Sequence, residues 1–264
     1  MFILHDRAAI ARLLVQNTPL HIYELGDLDD FFWPHTTWYT ESDQVVLLYS
    51  GTFTPVVLAL SDNLADLRDL VRSVKPLLPR SFHAHLSGGL ADLLTDIYIP
   101  HPYGLHHKML LKDRSRIGAI DTSGIISLHA SDLEEVYAFY RLSYPGNFFD
   151  PRMLETGCYY GLRRNGQLIS VGGIHVYSPA YHVAALGNVT THPDFRGQGY
   201  ATTVCARICR EILPVCDHIG LNVKADNASA IAAYQKLGFC YTASYLEYDF
   251  EIKPVPSVNS AGMG

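Results

Sequence analysis

Residues 187–213, GNVTTHPDFRGQGYATTVCARICREIL, read as a strand, a turn and a glycine-interrupted entry into a helix. The turn falls at His192-Pro193-Asp194. Beyond it Ala201, Val204, Cys205, Ile208 and Ile212 recur at helical spacing, so the helix lies on a sheet. Gly197 and Gly199 therefore sit at its N-terminus, where unpaired N–H groups and the positive end of the helix dipole converge. Glycines there remove the side chains that would hold a large anion at a distance. The pattern predicts a cradle for a phosphate or pyrophosphate. A P-loop would need a Lys after Gly199, and a dinucleotide fingerprint a third glycine; neither is present.

Outward from this stretch, residues 158–178 read as a hairpin turned at Asn165-Gly166, and 180–193 as a third strand. Downstream come a strand at 218–225, a helix at 227–237 and two final strands, FCYTAS and YLEYDFE. Upstream, a strand at 125–131 leads into a helix. Ser131-Asp132-Leu133-Glu134 fits a capping box there, with Glu134 reciprocal. Residues 113–118 are polar and without period, which puts a boundary near 121–124. The first half reads αββαβαβ, from a helix at 6–16 through strands QVVLLYS and PVVLALS, a helix at 62–75 capped by Asp62 or Asn63, the strand SFHAHLS, a short helix in GGLADLLTD and the strand YGLHHKMLLKD.

Composition narrows the reading. The chain has 264 residues, 48% of them apolar and 17% charged, so it is not largely disordered. A formal charge of -6 argues against a general nucleic-acid binder, which would show a basic stripe, and any anionic ligand must be held by local donors. Five cysteines, all in the second half and with no Cys-x-x-Cys, fit reduced thiols in a cytoplasmic protein. Cys205 and Cys209, one helical turn apart, read as core packing. The N-terminus lacks a signal peptide's apolar run, and the long uncharged stretch at 44–61 is broken by Ser50-Gly51-Thr52-Phe53-Thr54-Pro55; no membrane partner is expected.

Arg196-Gly197-Gln198-Gly199-Tyr200-Ala201 matches (Gln/Arg)-x-x-Gly-x-(Gly/Ala), and so resembles the acyl-CoA pyrophosphate signature of the GNAT superfamily of N-acetyltransferases. ADNASAIAAYQKLGF, residues 225–239, resembles that family's second signature, with Asn227, Ile231, Tyr234, Lys236, Gly238 and Phe239 at the expected places. The resemblance covers about residues 125–250. The first half resembles, more weakly, the degenerate amino-terminal half of tandem members such as glycine N-acyltransferase-like proteins. The fold so implied is an α+β, α-β-α sandwich. A GNAT domain with a mixed, mostly antiparallel sheet spans 124–252, preceded by a smaller GNAT-like α/β domain at 1–123 and followed by a flexible tail at 253–264.

The resemblance also implies roles. The main chain of Val189, Thr190 and Thr191 would pair with the pantetheine arm of acetyl-CoA where that strand splays from the next. The amides of Arg196, Gly197, Gln198, Gly199, Tyr200 and Ala201, with Thr202, would receive the pyrophosphate. The Arg196 side chain would be either part of the cradle or a solvated cation. Asn227 would cap its helix or reach the pantetheine. Tyr234 would turn its hydroxyl to the sulfur, as a catalytic proton donor, or pack in the core.

The reaction implied is transfer of acetyl from acetyl-CoA to a primary amine, of a small molecule or a peptide, by direct attack in a ternary complex. The alternative is a non-catalytic CoA-binding regulatory or structural protein on the same fold. The strand AALGNV has no carboxylate to deprotonate the amine, which leaves His175, Glu155 and His182 as candidate bases. His83 and His85 share a strand face but no third ligand follows by spacing, so no metal is expected. The loop at 144–157 would shape the acceptor site or pack between the halves. The protein is expected to be a monomer or homodimer.

Overall fold

The computed structural model describes residues 1–254, so the expected tail lies, but for its first two residues, outside the described residues. In chain order the first half forms β1 (Phe2–Ile3), α1 (Arg7–Leu14), α2 (Ile22–Gly26), β2 (Thr36–Glu41), β3 (Gln44–Tyr49), β4 (Val56–Ala59), α3 (Leu64–Val74), β5 (Ser81–Leu86), β6 (Tyr98–Leu111) and α4 (Ser115–Gly118). The second half adds β7 (Ile125–Ser127), α5 (Leu133–Ser143), β8 (Tyr160–Arg164), β9 (Gln167–Ser178), β10 (Val183–Thr191), α6 (Tyr200–Ile212), β11 (His218–Lys224), α7 (Ala228–Lys236) and β12 (Phe239–Ile252). Among the described residues no helix is long and apolar enough to cross a membrane.

Local signals placed most of these elements. Asn63 caps α3 through the Asp66 N–H, and Asn165 and Gly166, both at positive φ, turn the β8–β9 hairpin. Three readings change. The two final strands are one, β12, carried past residue 242 by a bulge. The capping box before α5 uses Asp132, whose carboxylate accepts from the His129 N–H at 2.9 Å, in place of Ser131 and Glu134. The first half also contains α2 and β2, which its periodicity did not announce.

All twelve strands form one sheet in the order β1-β2-β3-β4-β5-β12-β6-β11-β10-β9-β8-β7. Pairing is antiparallel except at β4–β5 and β10–β11, so the sheet is mixed and mostly antiparallel. The halves interleave: β6, from the first, sits between β11 and β12, and β12, the last strand, carries the sheet on to β5. The expected separate amino-terminal domain is thus joined to the rest strand by strand, and residues 121–124 mark a boundary in chain order but no break in the sheet.

Alternation along the central strands decides what covers them. Ala184, Leu186, Ile219 and Leu221 enter the core beneath α6, together with Cys205 and Cys209, whose burial fits the packing role. Val183 and Ala185 face the other way, onto Ile22 and Leu25 of α2. That short helix lies unusually close to the sheet. A Cβ on Gly26 would stand 2.5 Å from the Val176 Cβ, and one on Gly220 would stand 2.6 Å from the Ile22 Cδ1. The close approach brings Tyr23 and Asp27 to the wall of a cleft in the middle of the sheet.

Candidate active site

The cleft begins where two parallel strands part. β10 and β11 pair from Val183↔His218 to Leu186↔Leu221 and no farther, although both strands continue. On its other edge β10 is bulged. Gly187 and Thr190 find partners on β9, while Asn188 and Val189 have none in register. Asn188 adopts φ 53°, and its side chain fixes that bend, with Nδ2 donating to the Tyr159 hydroxyl at 2.9 Å and Oδ1 accepting from the Phe148 N–H at 3.2 Å. Its carbonyl accepts from the Tyr140 hydroxyl at 2.8 Å. The result is a slot edged by main chain at 187–191 on one side and by Asn222 and Val223 on the other. Asn222 Oδ1 is buried at the slot without a hydrogen-bond partner.

The slot runs to the N-terminus of α6. Gly197 has φ 77° and Gly199, the residue before the helix, φ 85°, a region that side chains penalise. A Cβ at either would meet nothing within 4 Å, so no neighbouring side chain packs against these two residues there. Arg196, Gly197, Gly199, Tyr200, Ala201 and Thr202 line the cleft with Val189, Thr190 and Thr191. Gln198 is the member of the predicted run that does not; its side-chain oxygen accepts from the Tyr200 hydroxyl at 3.2 Å. Arg196 is exposed, yet its side chain is also fastened to main chain. Its Nε donates to the Thr191 carbonyl at 3.1 Å and its Nη2 to that of Ser143 at 3.0 Å, which ties the end of β10 to the end of α5.

The second signature closes the slot from the far side. Asn227 caps α7, its Oδ1 accepting from the Ala230 N–H at 3.1 Å, and it also lines the cleft; the two readings of this residue are compatible. Tyr234 lies both in the cleft wall and over a small apolar recess beside Val189 and Cys205. Burial, with Cys205, Tyr23 and Tyr144 nearby, raises its phenol well above the ordinary range, so the hydroxyl keeps its proton near neutrality.

The opposite wall comes largely from the first half. Tyr23, Asp27, Phe31, Phe32 and Tyr49 face the slot, joined by Tyr144, Phe148, Asp150 and Arg152 of the 144–157 loop. That loop also packs against the first half, where Arg152 donates to the Phe31 carbonyl at 3.1 Å and stacks 4.7 Å above the Phe31 ring. The whole cleft has a volume of about 910 Å³. Of the candidate bases only His175 belongs to it. Glu155 is exposed elsewhere, and His182 is turned to the Val215 carbonyl at 2.9 Å. The floor holds a group that sequence spacing did not reveal. Glu247 of β12 meets His83 and His85 of β5 and His106 of β6.

His175 packs so closely that a Cβ on Gly187 would stand 1.9 Å from its Cδ2. Burial pushes its imidazole from the ordinary 6.5 down to about 4, so it is neutral at pH 7. Between pH 6.5 and 4 the unfolded chain takes up a proton that the folded chain refuses, and stability falls with pH through that window. The loss is at most about 1.4 kcal/mol per pH unit. In His175→Gln the difference in unfolding free energy between pH 7 and pH 5 is expected to shrink by about 2 kcal/mol in urea titrations. An unchanged difference would mean that the ring titrates as it does in water.

The sequence profile of the Acetyltransferase (GNAT) family matches residues 124–239. No curated protein matches the sequence. Among solved structures, a Drosophila protein is similar over 95% of this chain and 97% of its own, with a TM-score of 0.70 and 15% identity. A putative GNAT acetyltransferase from Novosphingobium aromaticivorans is similar over 79% of this chain and 89% of its own, with a TM-score of 0.60 and 18% identity. A GCN5-related N-acetyltransferase-like protein from Streptococcus suis covers 93% of this chain with 100% of its own, with a TM-score of 0.57 and 15% identity. Residues 124–239 therefore form a GNAT acetyltransferase domain, and the sheet that they help to build is that of the GNAT fold.

Proposed function

We propose that this chain is an acyl-CoA-dependent N-acetyltransferase that moves acetyl from acetyl-CoA to a primary amine in a ternary complex. One observation carries the reading: the slot between β10 and β11 beyond Leu186 leads from side-chain-free amides at the α6 N-terminus into a large cleft. An elongated ligand with a diphosphate at one end and a reactive group at the other suits that path.

In this reading the amides of residues 197–202 hold the diphosphate, while the Arg196 N–H, expected to join them, donates to the Pro193 carbonyl at 3.3 Å and the Arg196 side chain braces the loop from behind. The main chain of Val189, Thr190 and Thr191 aligns the pantetheine arm, and Asn227 and the unpartnered Asn222 Oδ1 offer polar contacts to its amides. Acetyl-CoA supplies an acetyl group activated as a thioester. Main-chain N–H groups at the β10 bulge stabilise charge developing on the carbonyl oxygen. Tyr234 keeps a proton for the departing sulfur. The cleft wall of residues 1–123, with the 144–157 loop, positions the amine, and residues 124–252 hold the acyl donor.

Incubating the protein with acetyl-CoA and a panel of primary amines should release free CoA thiol with at least one of them. Tight acetyl-CoA binding without turnover on any amine would favour a CoA-binding protein that does no chemistry.

A further inference from the structure

The floor of the acceptor half of the cleft gathers imidazoles around one carboxylate. Along β5, Phe82, Ala84 and Leu86 enter the core beside α3, which leaves His83 and His85 on the opposite face. The register of β12 against β5 and β6 sets Glu247 among them. Its Oε2 is 3.3 Å from the His83 Nε2 and 3.4 Å from the His106 Nε2, and its Oε1 is 3.4 Å from the His85 Nε2. One donor atom from each of His83, His85 and Glu247 lies within 4.8 Å of the other two.

The outer nitrogens fix the tautomers. His83 Nδ1 lies 2.8 Å from the Asp249 carboxylate and His106 Nδ1 lies 3.2 Å from the Gly104 carbonyl. Both partners only accept, so both Nδ1 atoms carry hydrogen. In a neutral ring that leaves a lone pair on Nε2, and here two such lone pairs point at a carboxylate. His85 adds a third ring, with its Nδ1 buried and unpartnered. Glu247 Oε1 already accepts from the Tyr245 hydroxyl; the imidazole lone pairs converging on that carboxylate, with the rings held from behind by a carboxylate and a carbonyl, are the arrangement that a bound cation stabilises. Lys108 does not fill the role, because its ammonium is turned over the Tyr23 and Tyr245 rings at 5.0 and 5.2 Å.

We propose that His83, His85 and Glu247 form a binding site for a divalent transition-metal ion of the zinc class, beside His106 and with an open position toward the cleft. Tetrahedral coordination with bonds of about 2.0–2.2 Å sets donor atoms about 3.3–3.6 Å apart; His83 and His85 each stand at that spacing from one Glu247 oxygen, Oε2 and Oε1 respectively, and three donor atoms within 4.8 Å need only a small closure to meet one ion. Imidazole nitrogen with one carboxylate suits zinc, whereas calcium and magnesium call for oxygen donors throughout. Asp249 holds His83 in place as an outer partner.

The test uses the full, tag-free chain, stripped by chelator and titrated with zinc sulfate alone. No acyl-CoA is present, so the outcome is independent of the transferase reading. About one zinc per chain should survive gel filtration and raise the melting temperature. Glu247→Gln should retain none, and His85→Gln gives the same readout if the first variant fails to fold. Asp249→Asn should weaken zinc affinity about 10-fold or more. No stoichiometric retention by the native chain, or equal retention by Glu247→Gln and His85→Gln, overturns the assignment; the cluster would then be a carboxylate neutralised by protonated imidazole.

Discussion

Replacing Tyr234 by Phe is expected to lower kcat about 100-fold with acetyl-CoA and a turned-over amine, while acetyl-CoA affinity stays unchanged. The phenol lies against Val189 and Cys205, and burial holds its pKa well above the ordinary tyrosine range, so the proton is present near neutrality. The ring supplies the packing, and Phe keeps the ring. What Phe removes is a hydroxyl in the wall of the cleft beside the slot, where the departing sulfur needs a proton or a hydrogen bond. A positioned proton donor contributes about 10²–10⁴-fold, and the lower end, about 3 kcal/mol, applies because water in an open cleft can substitute in part. Calorimetry with CoA separates the two possibilities for this residue. Unchanged affinity with reduced turnover assigns the hydroxyl to chemistry; unchanged turnover leaves Tyr234 as a packing residue.

The donor side of this site was legible because its residues are consecutive. A glycine turn, a helix stripe and an Asn cap each extend over a few residues, and in each the local conformation follows from the residues themselves: φ near 80° at Gly197 and Gly199, and an Asn227 side chain bonded three residues on. The acceptor side was not legible, for two physical reasons. Its nearest helix, α2, is only IYELG, too short to show an amphipathic period and without a side-chain cap at its start. It is helical because Gly26 and Gly220 let it press onto the sheet, a tertiary cause. The second reason is strand register. The alternation of YLEYDFE marks a strand, yet that Glu247 lands on His83, 164 residues earlier, depends on how β12 aligns with β5. A spacing rule for metal ligands looks along the chain and cannot see across a ladder.

The same register explains why dividing the chain at residues 123/124 hides the cleft. β6 precedes that point and pairs with β11, while β12 follows it and pairs with β5. Each half lends a strand to the other, so the cleft wall built by Tyr23, Asp27 and Tyr49 cannot be assembled by 124–252 alone. The signature residues of the GNAT domain lie on its own elements, and the residues that would select an amine lie mainly on the interleaved ones.

Gly199→Val is expected to raise the acetyl-CoA dissociation constant at least about 10-fold with little change in melting temperature. At φ 85° a β-branched residue is strained by about 1–2 kcal/mol, and no side chain packs against its Cβ; the Gly199 carbonyl is held by the Thr203 N–H at 3.1 Å, but a Cβ there would gain no packing to offset the strain. The chain relieves the strain by swinging residue 199 out of the left-handed region. The fold loses little by that, because α6 remains anchored through Val204, Cys205 and Ile208. The amides of residues 197–201, however, no longer converge, and a diphosphate held by several N–H groups at once loses more than one of them. Gly166→Val is the control: φ there is 81° and its Cβ would also meet nothing within 4 Å, but it sits in the β8–β9 turn, away from the cleft wall. It should carry the same strain with unaltered acetyl-CoA binding. Equal losses in the two variants, or none in Gly199→Val, would remove the α6 N-terminus from the cofactor site and with it the path from which the acetyltransferase reading proceeds.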